Sequence, residues 1–132
     1  MREIEIPIAI YNLMIEHARS GRPLEVCGVL AGRGSLVERI YQGSNADASP
    51  VSYRLDSRQQ LEIGKDLSRD GRKMLCIYHS HPSGPAFPSA KDVSLAVWDT
   101  VYIIIGFAGE TPEVRAFTVE NGSVAEAAFR TV

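Results

Sequence analysis

A segment near the middle of the chain constrains its fold more than any other stretch. An apolar run, Met74 to Tyr78, has the length and composition of a buried strand. His79-Ser80-His81 follows, and then come three prolines and a glycine, which cannot continue a strand or a helix. Apolar residues at helical spacing resume after Ser89. The segment therefore predicts a strand, a tight loop and the start of a helix.

Two histidines lie at the end of the predicted strand. A strand directs residues i and i+2 to one face, roughly 6.6 to 6.8 Å apart, so His79 and His81 can reach a shared partner. Asp92, in the first turn of the predicted helix, adds a carboxylate. Two imidazoles and a carboxylate suit zinc, and three protein ligands leave a position for water, whose pKa zinc lowers toward about 7. The sequence predicts a catalytic Zn2+ site at these three residues.

Hydrolysis also needs a base, and the candidate lies upstream at Glu25. With Glu25-Val26-Cys27-Gly28-Val29-Leu30 in front, the series His79-x-His81, Ser89 and Asp92 resembles the JAMM (MPN-type) zinc metallopeptidases. The match covers most of the chain, from Ile4 to about Phe107. It includes a middle segment with Asn45, Ser49-Pro50, Tyr53, Asp56 and Leu61.

The resemblance implies a role for each matching position. His79, His81 and Asp92 would hold the metal, and Glu25 would move a proton from water to the leaving amine. Ser89 would donate a hydrogen bond to the oxyanion. Ser80, between the histidines, would support the ligands without binding the metal.

The resemblance also implies a substrate and a fold. The family cleaves after the C-terminal Gly-Gly tail of a ubiquitin-like protein, and glycine suits a narrow groove in which a side chain would clash. The chain lacks the long insertions of eukaryotic deubiquitinating members and is similar to compact prokaryotic ones. Several of those act on ubiquitin-like sulfur-carrier proteins, and one such reaction releases cysteine. The implied fold is the cytidine-deaminase-like layered fold.

Other interpretations fit parts of the pattern. Ser89-x-x-Asp92 is also a capping box, and Ser89 can serve both purposes. A histidine pair or a glutamate alone would indicate no site. A non-enzymatic MPN-type scaffold is the alternative function, although such relatives lack a ligand and none is missing here. A zinc deaminase needs His-x-Glu and Pro-Cys-x-x-Cys, and neither occurs.

Length and composition limit the number of domains, the partners and the location that the chain can have. The 132 residues fit a single JAMM/MPN-type metallopeptidase domain, 1–132, and the net charge of −2 does not indicate nucleic acid as a partner. The N-terminus does not resemble a signal peptide, and the longest apolar run, Val101 to Ala108, is shorter than the ~20 residues of a membrane span. Cys27 and Cys76 are predicted to be buried free thiols in a reducing compartment, with the cytoplasm as the expected location. The oligomeric state stays open.

Periodicity predicts an α/β domain with a mixed β-sheet and three flanking helices. His17 falls in the first helix, and we expect a solvated side chain without a role. The predicted helices begin near Pro7, at Asp56 or Ser57, and at Ser89, and end near Gly21, Arg69 and Asp99. The predicted strands are 3–6, 26–31, 36–41, 51–55, 74–81, 101–107, 114–119 and 123–130, the last two joined by a turn at Asn121-Gly122.

Overall fold

A computed structural model describes residues 3–96 and 98–132. These residues form one eight-stranded sheet and three helices, the mixed α/β architecture predicted from the sequence. In chain order the elements are β1 (Ile4–Ile6), α1 (Ile8–Gly21), β2 (Cys27–Arg33), β3 (Leu36–Gln42), α2 (Ser57–Asp70), β4 (Lys73–His81), α3 (Ala90–Leu95), β5 (Val101–Gly106), β6 (Glu113–Glu120), β7 (Ser123–Ala127) and β8 (Phe129–Thr131).

The sheet has the strand order β7-β6-β5-β4-β2-β3-β1-β8. β4 pairs with β2 antiparallel and with β5 parallel, and the hairpin partners β3 and β7 pair antiparallel with β2 and β6. β7 pairs with β6, whereas β8, which follows after Ala128 alone, pairs with β1. The two ends of the strand order therefore belong to one stretch of chain, and the sheet curves until that stretch closes it.

One face of the sheet packs on α1. Met14 and Ala18 on α1 are completely buried against a core that includes Leu30, Tyr78 and Ile103. Alternation along β4 places Tyr78 on this face and Ile77, His79 and His81 on the other. The apolar run of β5 is buried at every residue, as its composition predicts. The central strand β5 is therefore buried on both faces of the sheet.

Three elements differ from the sequence predictions. The single strand predicted over 123–130 is interrupted at Ala128, and its two parts, β7 and β8, pair with β6 and β1 respectively. Residues 51–55 form no strand, because the Asn45 side chain bonds the backbone of Ser52 and Arg54; only an isolated bridge joins Asn45 to Leu55. α3 ends at Leu95 and not near Asp99. Beyond it the backbone N–H of Trp98 donates to the Tyr102 hydroxyl, which turns the chain toward β5; Val97 lies outside the described residues.

The prediction that His17 is solvated is wrong. Its Nδ1 atom lies 2.7 Å from the hydroxyl oxygen of Tyr78 in a partly buried contact. Burial lowers the pKa of His17. The partner is 61 residues away in the sequence, so local charge pattern gave no indication of it.

Both cysteines are buried and free, as predicted, whereas the reducing, cytoplasmic location stays a prediction. Within residues 3–96 and 98–132, the helices lack the length and apolar content that a membrane span requires.

Replacing Gly28 with alanine is expected to lower the free energy of unfolding by about 1 to 3 kcal/mol. The added Cβ would lie 2.3 Å from the ring of Tyr78, which is completely buried and so has no free space into which to move. Gly64 in α2 is the control, because an added Cβ meets no described atom within 4 Å there. Gly64→Ala should stabilise by up to about 1 kcal/mol in urea denaturation. A Gly28→Ala protein as stable as the parent would contradict this packing.

Candidate metal centre

The structure brings His79, His81 and Asp92 together. β4 ends with both histidines on one face, and α3 begins close by with Asp92 in its first turn. The Nε2 atoms of the histidines are 3.2 Å apart, and they lie 3.1 and 3.0 Å from Oδ2 of Asp92. One ligand atom from each residue thus meets the others within a space that could hold a metal ion.

The ionisation of His79 and Asp92 favours metal binding. Complete burial lowers the pKa of His79, which keeps its imidazole neutral. Burial opposes ionisation of Asp92, but hydrogen bonds from both histidines outweigh it and hold the pKa of Asp92 well below its usual range. Burial also acts to lower the pKa of His81, yet its contacts with Asp92 and Pro85 outweigh that effect and raise it. Asp92 is therefore a carboxylate and His79 a neutral imidazole, the forms that bind metals, whereas the raised pKa of His81 means that a proton competes with a metal ion at that residue.

The loop after β4 orients the His81 ring. Nδ1 of His81 lies 2.7 Å from the carbonyl oxygen of Pro85, to which it donates, so in the neutral ring the free lone pair is on Nε2, the atom that faces Asp92. The loop packs directly on β5 at Gly106, where a Cβ would lie 2.4 Å from the Ala86 nitrogen and 2.7 Å from the Pro85 carbonyl carbon. The Phe107 N–H adds hydrogen bonds to the carbonyls of His81 and Gly84. A glycine on β5 thus allows the loop close enough to hold a histidine on β4.

The start of α3 fixes Asp92 through the predicted capping box. The Asp92 N–H donates to Oγ of Ser89 at 3.0 Å, and the Ser89 N–H donates to Oδ2 of Asp92 at 2.9 Å. Ser89 is exposed, and its hydroxyl proton is not used in the cap. The serine can therefore cap the helix and still donate a hydrogen bond to another group.

Glu25 lies immediately before β2, beside the same centre. The register pairs Cys27 with His79, which puts Glu25, two residues earlier, next to His81, two residues later. The side chain is 4% exposed, and its Oε1 atom has no hydrogen-bond partner among the described residues. Burial raises the pKa of Glu25 from 4.5 to about 7; the charge of Asp92 adds to this effect, whereas His81 and Lys91 oppose it. This carboxyl can both take and release a proton near neutral pH.

Ser80 points away from the centre, into the opposite side of the sheet. It is completely buried, and its Oγ accepts the N–H of Val26 at 2.9 Å. Its own N–H donates to the Val26 carbonyl at 3.1 Å. Ser80 therefore ties the start of β2 to the end of β4, and its connection to the histidines runs through the backbone.

Two further residues stand against the centre, and sequence reasoning gave them no role. Asn45 donates to the carbonyls of Glu25 and Ser52 at 3.0 and 2.9 Å and accepts from the backbone N–H groups of Asp47 and Arg54 at 3.0 Å each. The ring of Tyr53 stacks on His79 with centroids 4.2 Å apart and an interplanar angle of 18°. Their only signal in the sequence was membership of the middle segment of the family match.

An apolar cavity of about 430 Å3 lies on the same side of the sheet. Tyr53 forms part of its wall, so the cavity and the metal centre share that residue. The rest of the lining includes Ile63, Leu67, Ile77, Trp98 and Tyr102. The centre is thus bordered by a surface that can accept apolar groups.

Comparisons with known proteins agree with this fold and identify the family of the chain. Residues 7–120 match the family described as "Prokaryotic homologs of the JAB domain", and the chain belongs to that family. The resemblance to JAMM (MPN-type) proteins predicted from the sequence is therefore confirmed.

Two relatives and one solved structure are similar over most of their length. A CysO-cysteine peptidase of Mycobacterium tuberculosis is 39% identical over 89% of this chain and 83% of its own. A probable TtuB-protein conjugate cleaving protease of Thermus thermophilus is 41% identical over 89% of this chain and 76% of its own. The solution structure of a Desulfitobacterium hafniense protein has a TM-score of 0.89 and 37% identity over 98% of this chain and 92% of its own.

The buried Glu25 predicts a pH-dependent stability of the metal-free protein. Because folding raises the pKa of this carboxyl from 4.5 to about 7, stability should be lost as the pH rises through that range. Glu25→Gln should remove this loss. We expect the variant to exceed the parent by up to about 3 kcal/mol above pH ~7 and to equal it near pH ~4.

Urea denaturation across that pH range measures the difference, with Glu110→Gln, a change at an exposed glutamate, as the control. A constant difference between Glu25→Gln and the parent at all pH values would contradict the raised pKa.

Proposed function

We propose that this protein is a zinc-dependent peptidase or isopeptidase, on a single domain of residues 1–132. It hydrolyses the bond after the C-terminal glycine of a ubiquitin-like or sulfur-carrier protein. The observation that carries this proposal is the meeting of three donor atoms, from His79, His81 and Asp92, beside the buried Glu25 carboxylate, whose Oε1 atom has no hydrogen-bond partner among the described residues. The names of the two relatives support the choice of a peptidase that acts on carrier proteins.

The donor set fits zinc. Two imidazole nitrogens and one carboxylate oxygen are common zinc ligands, whereas magnesium and calcium prefer oxygen alone. With its Nδ1–H committed to Pro85, a neutral His81 places a bare Nε2 lone pair 3.0 Å from an Asp92 oxygen. Two acceptors at this distance repel each other unless a proton or a metal ion lies between them. A cation bound by both atoms and by His79 removes that repulsion.

Bound zinc would supply a Lewis acid that acidifies water and polarises a carbonyl. Glu25 takes the proton that the attacking water releases, and a pKa of about 7 suits transfer in either direction. It then delivers that proton to the departing nitrogen, and the second proton of the water leaves the new carboxyl group, so that water and the amide yield a glycine carboxylate and a protonated amine. The Ser89 hydroxyl, whose proton is not used in the cap, donates a hydrogen bond to the oxygen of the scissile carbonyl as negative charge develops there.

The proposed substrate is a flexible tail that ends in Gly-Gly. Glycine allows the backbone to approach the centre where a side chain would clash with its walls. The products are a carrier with a free glycine carboxylate and either a single amino acid such as cysteine or a formerly conjugated protein amine. Both outcomes use the same bond cleavage and the same residues.

The test combines zinc content with cleavage of a ubiquitin-like carrier extended by one residue beyond its terminal glycines. About one zinc per chain and cleavage that a chelator abolishes and added zinc restores are expected. If the protein binds zinc but cleaves no carrier that is extended at its Gly-Gly terminus or conjugated through it, the proposed substrate class is wrong. If the protein binds no zinc and cleaves no carrier even after zinc is added back, that result would favour a non-enzymatic MPN-type scaffold.

Glu25→Gln is expected to retain zinc and to lose about 10²- to 10⁴-fold in turnover, because it removes the base and no ligand. Cleavage of the extended carrier and zinc content are measured on the same samples, with Glu110→Gln as the matched control. A Glu25→Gln enzyme that cleaves at the parental rate would show that another group moves the proton.

His81→Ala is expected to lose most of the bound zinc, because two ligands cannot replace three. His17→Gln is the control for loss of a histidine and should retain about one zinc per chain, since His17 contacts Tyr78 on the opposite side of the sheet. Zinc analysis after dialysis measures both. Stoichiometric zinc in His81→Ala would mean that the ligands lie elsewhere.

A further inference from the structure

We propose that Tyr53 is a positioning residue that fixes the imidazole ring of His79 for metal binding. The inference rests on the proposed function in taking His79 as a ligand. It assigns to an aromatic ring the task that a hydrogen bond performs for His81.

The two histidines are held by different means. A metal-binding imidazole usually donates its second N–H to a carbonyl or carboxylate, which sets the ring orientation. His81 follows this pattern through Pro85, at 2.7 Å. His79 departs from it, because its Nδ1 atom is buried and has no hydrogen-bond partner within residues 3–96 and 98–132. Another contact must therefore hold the ring.

Tyr53 supplies that contact. Its ring lies nearly parallel to the His79 ring, with centroids 4.2 Å apart and planes inclined by 18°. Rotation of His79 out of this plane would drive its edge into the Tyr53 face. The His81 ring makes a steeper contact with the His79 ring, with centroids 5.0 Å apart and planes inclined by 62°. The stack thus keeps Nε2 of His79 directed at Asp92.

The loop that carries Tyr53 has a fixed backbone even though it forms no strand. Asn45 accepts from the N–H of Arg54 and donates to the carbonyl of Ser52, the two neighbours of Tyr53 in the chain. Asp47 adds side-chain contacts with the same two residues, at 3.1 and 3.3 Å. The stacked ring is therefore anchored on both sides.

The same asparagine also holds the base. Its second donor contact goes to the carbonyl of Glu25, at 3.0 Å. One side chain thus sets the position of Glu25 relative to Tyr53, and through the stack relative to His79. The loop places the proposed base and one proposed ligand in a common frame.

The experiment compares zinc dissociation constants, measured by competition with a chromophoric chelator. Tyr53→Phe keeps the ring and is expected to stay within about 2-fold of the parent, whereas Tyr53→Leu and Tyr53→Met should bind zinc about 10- to 100-fold more weakly. Tyr41→Leu, which removes a partly buried tyrosine ring on β3, should leave the affinity unchanged. The absorption spectrum of the Co2+-loaded proteins should change with Tyr53→Leu and Tyr53→Met and not with Tyr53→Phe.

The Tyr53 variants test the positioning role, and the parent protein tests the proposed function. Parental zinc affinity and an unchanged Co2+ spectrum in Tyr53→Leu or Tyr53→Met would overturn the positioning role. A loss of more than about 10-fold in Tyr53→Phe would also overturn it, because the hydroxyl would then be the important group. That variant keeps the packing volume, so it tests the inference even where the smaller side chains impair folding. Failure of the parent protein to bind zinc would instead contradict the proposed function.

Discussion

The antiparallel pairing of β2 with β4 is the contact on which the rest of the centre depends. Its register sets Cys27 opposite His79 and so brings Glu25 beside His81. The backbone and side chain of Ser80 extend this pairing by two hydrogen bonds to Val26. A shift of one residue would send both histidines to the α1 side of the sheet, away from Asp92. The bulge between Leu30 and Ala31 falls at the far end of the pairing, where it leaves this register intact.

The centre is assembled from three segments that together fix four groups. The loop after β4 holds His81, the capped start of α3 holds Asp92, and the loop before α2 holds Glu25 and stacks on His79. Each of these fixing contacts comes from outside the strand that carries the histidines. This division explains why a buried carboxyl with a raised pKa persists beside the centre: Asn45 and the β2–β4 pairing hold its backbone where burial is unfavourable for its charge.

Local sequence patterns predicted what local interactions determine. The capping box of Ser89 and Asp92 and the turn at Asn121-Gly122, where both residues have positive φ, formed as expected. Contacts between distant residues were not predictable. Hydrogen bonds from Asn45 hold residues 51–55 in a loop where a strand was predicted. The Tyr102 hydroxyl bonds the backbone just after α3, and His17 contacts Tyr78 on β4. The stack of Tyr53 on His79 is of this second kind, since nothing in the spacing of the two residues indicates that their rings meet.

X-ray absorption at the zinc edge of the zinc-loaded protein directly identifies the atoms that bind the metal. If His79, His81 and Asp92 are the ligands, we expect nitrogen and oxygen neighbours at about 2.0 to 2.2 Å, outer scattering from two imidazoles, and no sulfur. Zinc–sulfur scattering near 2.3 Å would contradict this ligand set by assigning the metal to Cys27 or Cys76. So would a spectrum without imidazole scattering, because the two histidines at the end of β4 would then not be its ligands.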